Sequence, residues 1–204
     1  MSTVIEQIHG AYVHRRRDHV LAKHLAGMLP QNARVLDVGA GDGLLARLIM
    51  DQRKDLTITG IDVLVRQDTL IPVQPFDGLS IPFDDAAFDV AMFVDVLHHT
   101  DDPPALLREA ARVSSHAVVI KDHTLNGFLA GPTLRFMDEV GNRRHGVTLP
   151  YNYWPKAKWE EAFRMLHLRV AAWHSRLGLY PVVADWVFGR GLHFIALLEH
   201  EGRR

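Results

Sequence analysis

The chain has 204 residues, enough to bury a core without metal or disulfide support, and reads as one domain over residues 1–204. Cysteine is absent, which excludes a disulfide framework or a thiolate metal site and fits a cytoplasmic setting. Basic residues number 23 and acidic ones 24, so no global field draws in nucleic acid or an anionic membrane, and neither partner is expected. No apolar run spans a bilayer, and Met1 to Gly10 lacks the basic-then-apolar order of a signal peptide, so a soluble intracellular protein is expected.

Residues 11–29 carry Val13, Val20, Leu21, Leu25, Met28 and Leu29 at helical spacing, ending near Gly27 and Pro30; a leading helix is expected within 1–30. Its Arg15-Arg16-Arg17 run reads mostly as a solvated face, although Tyr12, His14 or one of the arginines has the reach to fold over a cleft. The organising stretch follows at Val35-Leu36-Asp37-Val38-Gly39-Ala40-Gly41-Asp42-Gly43. An apolar strand runs into three alternate glycines, and Leu44 to Ile49 then reads as an apolar helix face. Strand, glycine turn and helix usually serve a nucleotide, with backbone N–H groups close to the ligand. Dehydrogenases place their pyrophosphate on G-x-G-x-x-G. Here an acid precedes the first glycine, and a carboxylate repels phosphate but favours a cation. A glycine turn without ligand is the plain structural alternative.

The pattern resembles the first motif of class I S-adenosylmethionine-dependent methyltransferases. The resemblance implies a Rossmann-like, doubly wound α/β fold. Its sheet has seven mostly parallel strands, the last antiparallel, with helices on both faces. It also implies S-adenosyl-L-methionine as cofactor, held by Asp37, Gly39, Ala40, Gly41 and Gly43.

Leu56 to Asp62 alternates and is rich in β-branched residues, a second strand. Asp62 follows Gly43 by about the 20 residues at which a ribose-binding carboxylate sits, helix capping being the other use of such an acid. Ile71 to Phe76 suits an edge strand because of its prolines, and Asp77-Gly78 is a turn. In the resembled family the corresponding Asp accepts from the adenine amino group. Leu79 to Val90 is similar to the L-P-F-x-D-x-x-F-D-V segment of the type 11, metabolite-type group. Asp89 to Leu97 reads as a strand covered on both faces. Leu97-His98-His99, with Asp102-Pro103 and Leu106-Leu107-Arg108-Glu109 to Arg112-Val113, resembles another block of that group. Ser114-Ser115-His116 stands where that group turns with a proline and two glycines. The resemblance places Val63, Phe76, Gly78, Asp95 and Leu97 beside the cofactor as well.

Ala117 to Lys121 is a fifth strand, and Asp122-His123-Thr124 leaves its carboxyl end, where open α/β sheets hold ligands. Residues 125–154 lack a sheet pattern; a helix or two broken at Gly131-Pro132 precede the loop Gly141 to Gly146 with its basic Arg143-Arg144-His145. Such an interruption suits a lid, so the substrate cap is expected here. Tyr151 to Pro155 leads to a helix through Trp159, Ala162, Phe163 and Leu166. Strands at Leu168–Trp173 and His193–Glu199 follow, joined by a long loop over Gly178 to Gly191.

Methyl transfer is an in-line displacement in which alignment contributes most, roughly 7–11 kcal/mol. A base is needed only for an acceptor that loses a proton; among His98, His99, Lys121, Asp122 and His123, the favoured candidates are His98 and His123. Lys121 and Asp122 read equally well as a structural pair. Tyr12, His98, His123, Tyr151 and Trp154 are the expected acceptor-binding residues. In an extended strand only one of His98 and His99 faces the cleft, and adjacent histidines there do not converge on one ion, so no metal is expected. The expected partner is a small-molecule methyl acceptor, the protein being a monomer or homodimer. A non-catalytic cofactor-binding protein of the same fold and a nicotinamide-dependent oxidoreductase are the alternatives.

Overall fold

The computed structural model describes residues 4–142 and 151–202, with side chains over 16–140 and 151–202. In chain order it runs α1 (Val4–Met28), β1 (Arg34–Val38), α2 (Leu44–Gln52), β2 (Thr57–Asp62), β3 (Val73–Pro75), β4 (Phe88–Val94), a 3-10 turn (Leu97–His99), α3 (Pro103–Val113) and β5 (Ser114–His123). There follow α4 (Ala130–Asn142), α5 (Lys156–Met165), β6 (Leu168–His174), a short helical segment over 182–189, and β7 (His193–His200). The seven strands form one sheet in the order β3-β2-β1-β4-β5-β7-β6. Strands β1 to β5 pair in parallel, whereas β7 inserts antiparallel between β5 and β6. Among the described residues no helix is long and apolar enough to cross a membrane.

Period-two alternation sends the strand residues to two cores. Leu36, Ala91, Phe93, Val118 and Ile120 meet Leu106, Leu107 and Ala110 of α3 and Trp159 and Phe163 of α5. Val35, Val90, Met92, Ala117 and Val119 meet Leu21 and Leu25 of α1 and Ala46 and Ile49 of α2 on the other face. Each helix thus covers a stripe of sheet, at about 25 cal/mol per Å² of apolar surface removed from water. Helix α3 starts where Asp102 accepts from the Ala105 N–H at 3.0 Å, with prolines in its first turn, where a missing N–H costs nothing. It feeds β5 directly through Ser114, whose hydroxyl donates to the Ala110 carbonyl at 2.7 Å, so the family's proline-glycine turn has no role here.

Four sequence readings need correction. The edge strand shrinks to Val73–Pro75. Strand β4 stops at Val94, because Asp95 adopts φ 57 and the chain then winds into the 3-10 turn that carries both His98 and His99. Gly131-Pro132 does not break a helix; it lies in the first turn of α4, where proline is tolerated. The 178–191 connection is not plain loop, since residues 182–189 are helical. Arg143-Arg144-His145 and the side chains of Tyr12 and His14 lie outside the described residues.

Candidate active site

At the carboxyl ends of β1, β4 and β5 lies a cavity of about 760 Å³, a volume typical of ligand sites. One wall is the glycine turn. Gly39 and Gly41 have φ 80 and 60, a region open to glycine at little cost. A Cβ at Gly39 would collide with the Val96 side chain, whereas one at Gly41 would meet only the Arg66 guanidinium, at 3.8 Å. Gly41 therefore turns an open face outward. The N–H groups of the turn are already used: Gly39 and Ala40 donate to the Ile61 carbonyl, Gly43 to that of Ala40, and Gly41 to Asp62 at 2.8 Å. A phosphate would find no free donors at these four positions, which separates this turn from a pyrophosphate cradle.

Asp37 lines this wall, 4% exposed. Burial, and then the Asp62 carboxylate, push its carboxyl up to about 7, the state of an acid short of a positive partner. Asp62 ends β2 and accepts from Gly41 and from Leu64, each at 2.8 Å; no helix follows it, so helix capping is not its use. Asp77 accepts from Leu79 and Ser80 at 2.7 Å, and these backbone bonds hold its carboxyl below the usual range. Asp62, Val63, Phe76, Asp77 and Gly78 lie along the ends of β2 and β3 beside the cavity rather than in its lining. Arg66, missed from sequence, lines the cavity across the glycine turn.

The opposite wall is a partly buried ionic network built around the fully buried Lys121. Asp95 receives both Arg17 of α1 and Lys121 of β5. Burial alone would raise the Asp95 carboxyl, but Lys121 and Arg17 outweigh it and hold it well below the usual range. Lys121 also reaches His193 Nδ1 at 3.3 Å, and His193 Nε2 lies 3.1 Å from the Phe188 carbonyl. Lys121 and Asp122 are therefore not a pair. Alternation along β5 puts Lys121 and His123 on one face and Asp122 on the other, where Asp122 lies 2.6 Å from His98 Nδ1 and accepts from the Leu97 and His123 N–H groups. Burial lowers the His98 imidazolium, but Asp122 and Asp138 more than compensate and raise it to about 10. Burial, with Lys121 beside it, lowers His123, and burial lowers His99 to about 4.

Helix α4 closes the cavity with Phe136, Met137, Asp138 and Val140, and the 178–191 segment adds Tyr180, Ala184 and Phe188. Of the expected acceptor residues, His98 and His123 line the cavity, and so does His99, because the 3-10 turn replaces the extended strand. Tyr151 and Trp154 do not. Tyr151 lies 3.4 Å from Glu139 beneath Arg135, and Trp154 is 5% exposed in the core against Trp159. Leu97 is likewise core, whereas Asp95 lines the cavity. Sequence reasoning missed Asp138, Tyr180 and His193; of the Arg15-Arg16-Arg17 run, read mostly as solvated but with one arginine in reach of a cleft, it is Arg17 that lines the cavity. Asp138 sits on an otherwise apolar stripe of α4, the one local signal that could have found it.

A parallel sheet with a reversed β7, a glycine turn after β1 and an acid ending β2 define the class I S-adenosylmethionine-dependent methyltransferase fold. Residues 12–172 match the family model described as a methyltransferase domain, and the chain belongs to that family. A curated relative, the 27-O-demethylrifamycin SV methyltransferase of Amycolatopsis mediterranei, is 35% identical over 108 residues, covering 46% of this chain and 39% of that protein. The match thus spans about two fifths of that relative's length. Among solved structures, a Haloferax volcanii methyltransferase held by a methyltransferase activator superposes with a TM-score of 0.66 at 18% identity, over 93% of this chain and 92% of the other. An S-adenosylmethionine-dependent methyltransferase of Thermotoga maritima gives 0.63 at 18% identity, over 97% and 96%. At these identities the likeness is one of fold. The methyl donor of the family is S-adenosylmethionine, and the residues fit it: the open face of Gly41 leaves room, and Asp37 lacks the cation that a sulfonium amino acid brings.

Proposed function

We propose that the chain transfers a methyl group from S-adenosylmethionine to a small-molecule acceptor held in the cavity. The observation that carries this reading is that one cavity has Asp37 and the glycine turn on one wall and the imidazoles of His98, His99 and His123 on the other. When bound, the cofactor supplies a methyl on a sulfonium, ready for in-line displacement. Asp37 would face its cationic end, Asp62 would accept from the ribose hydroxyls, and Asp77 from the adenine amino group, with Ala40, Val63, Phe76 and Gly78 flanking. Asp95, fixed by Arg17 and Lys121, braces the strand end between cofactor and acceptor.

His123 is the proposed base for an acceptor that must lose a proton. Its main-chain carbonyl accepts from Trp159 Nε1 at 3.1 Å, its N–H is taken by Asp122, and its ring lies edge-on to His98 with centroids 4.6 Å apart, so it is held in place. A positioned base contributes roughly 10²–10⁴-fold to rate. His98 is the orienting partner, clamped by Asp122. The segment 125–154 is proposed as the cap, supported by the four α4 residues in the cavity lining. A small acceptor agrees with the mixed aromatic and polar lining, with the neutral charge balance, and with the relative that is named for an O-methylation of a small molecule.

The test is incubation with methyl-labelled cofactor and a panel of small hydroxyl, amine and carbon acceptors. Label transfer that His123→Gln lowers by 10²-fold or more, with cofactor affinity unchanged, is the expected result. Failure of the folded protein to bind the cofactor or its demethylated product in calorimetry would overturn the reading.

A further inference from the structure

Among the described residues, four buried side-chain nitrogen or oxygen atoms have no hydrogen-bond partner, and two of them, His98 Nε2 and His99 Nδ1, belong to adjacent rings whose centroids are 3.9 Å apart. Leaving a buried polar atom unpaired works against folding, so two in one place call for a common ligand. Asp138 completes the group: its Oδ2 lies 3.5 Å from His98 Nε2, too long for a good hydrogen bond, and one ligand atom from each of His98, His99 and Asp138 lies within 4.8 Å of the others.

We propose that His98, His99 and Asp138 bind a divalent transition-metal ion. Two ligands about 2.1 Å from an ion at a tetrahedral angle stand roughly 3.4 Å apart, close to the observed 3.5 Å separation of His98 Nε2 and Asp138. Imidazoles that bind metal almost always donate their other N–H to a carboxylate or carbonyl, and His98 Nδ1 lies 2.6 Å from Asp122 Oδ1, which leaves Nε2 for the ion. Asp138 is itself held by the Tyr153 hydroxyl. A set of two imidazoles and one carboxylate selects zinc, cobalt, nickel or iron over magnesium, which prefers oxygen donors. The neighbouring group of Asp95, His98, Asp122 and His123 is the poorer host, because Asp95 already carries Arg17 and Lys121, whose charges repel a cation. His98, His99 and Asp138 all line the cavity, so the remaining coordination positions of the ion open onto it. The sequence argument against a metal assumed an extended strand, and the 3-10 turn removes that premise. Metal binding at these residues does not depend on the methyl-transfer reading.

The test is titration of chelator-treated full chain with cobalt(II), followed by its visible absorption and by X-ray absorption at the cobalt edge. Expected are one ion per chain, a shell containing two imidazoles, displacement by zinc, and no displacement by excess magnesium. His99→Gln and Asp138→Asn should each abolish the spectrum with folding intact by circular dichroism. Asp122→Asn should weaken binding about 10–100-fold, and the exposed His116→Gln should leave it unchanged. No stoichiometric binding by the wild-type chain, an all-oxygen shell, or full-strength binding retained in both His99→Gln and Asp138→Asn overturns the site.

Discussion

Replacing Asp37 by Asn tests the cofactor wall through stability as well as binding. Buried, and facing Asp62, the Asp37 carboxyl titrates near 7 in the folded chain against 3.8 as its ordinary value. The folded state therefore holds its proton more tightly than the unfolded state, and ionisation works against folding. The penalty is absent below about pH 4, grows by about 1.4 kcal/mol per pH unit from there to about 7, and levels off near 4 kcal/mol above it. Asn carries no such charge. Asp37→Asn should thus be more stable than wild type at pH 8 in the absence of cofactor. Its advantage should exceed that at pH 5 by about 2.5 kcal/mol, the part of the ionisation penalty that develops between those values. Urea denaturation of both chains at several pH values measures the gap. In calorimetry the same variant should bind S-adenosylmethionine about 10–100-fold more weakly, the scale of one bond to a charged group. A stability difference that stays flat with pH, or an Asn chain weakened at pH 8, would refute the claim that an unpartnered carboxylate is kept there for a cation.

Asp62→Ala should weaken cofactor binding by about 1.5–3 kcal/mol in calorimetry, and unchanged affinity in a folded variant would remove Asp62 from the site. Gly41→Ala meets no atom closer than the Arg66 side chain but must hold φ 60, so it should cost about 1 kcal/mol of stability by thermal melting while cofactor affinity falls sharply; normal binding would make the turn purely structural. Trp159→Phe keeps most of the packing but leaves the His123 carbonyl without its donor, so a loss of about 1–3 kcal/mol in denaturant midpoints is expected, with turnover reduced as His123 loosens. Lys121→Met should leave partly exposed Asp95 with Arg17 as its remaining cation and destabilise the chain by about 1–3 kcal/mol, whereas a neutral result would mean that the Lys121–Asp95 contact adds nothing to folding.

The strand-turn-helix unit, the acid that ends β2 and most of the strands were legible in the sequence, because each is written in a short window: alternate glycines, an acid at a fixed distance from a turn, or period-two apolarity. The seven-stranded arrangement with its reversed β7 came from the family resemblance, since no short window encodes strand direction. Which polar residues meet depends on the assembled sheet. Arg17 and Asp95 are 78 residues apart, Lys121 and His193 72, and His98 and Asp122 24, and no local pattern encodes such pairings. The apolar run from Asp89 to Leu97 looks uniform as sequence, yet the chain leaves the sheet at Asp95, whose carboxylate is drawn to Arg17 and Lys121 and whose backbone takes φ 57. That bend turned two histidines read as alternating into a pair facing one cavity. Trp154 moved the other way, from an expected acceptor contact into the core, because apolar area gains more from packing on Trp159 than from lining a polar site. Periodicity marks which side chains leave water; the partners they find there depend on the whole sheet being assembled.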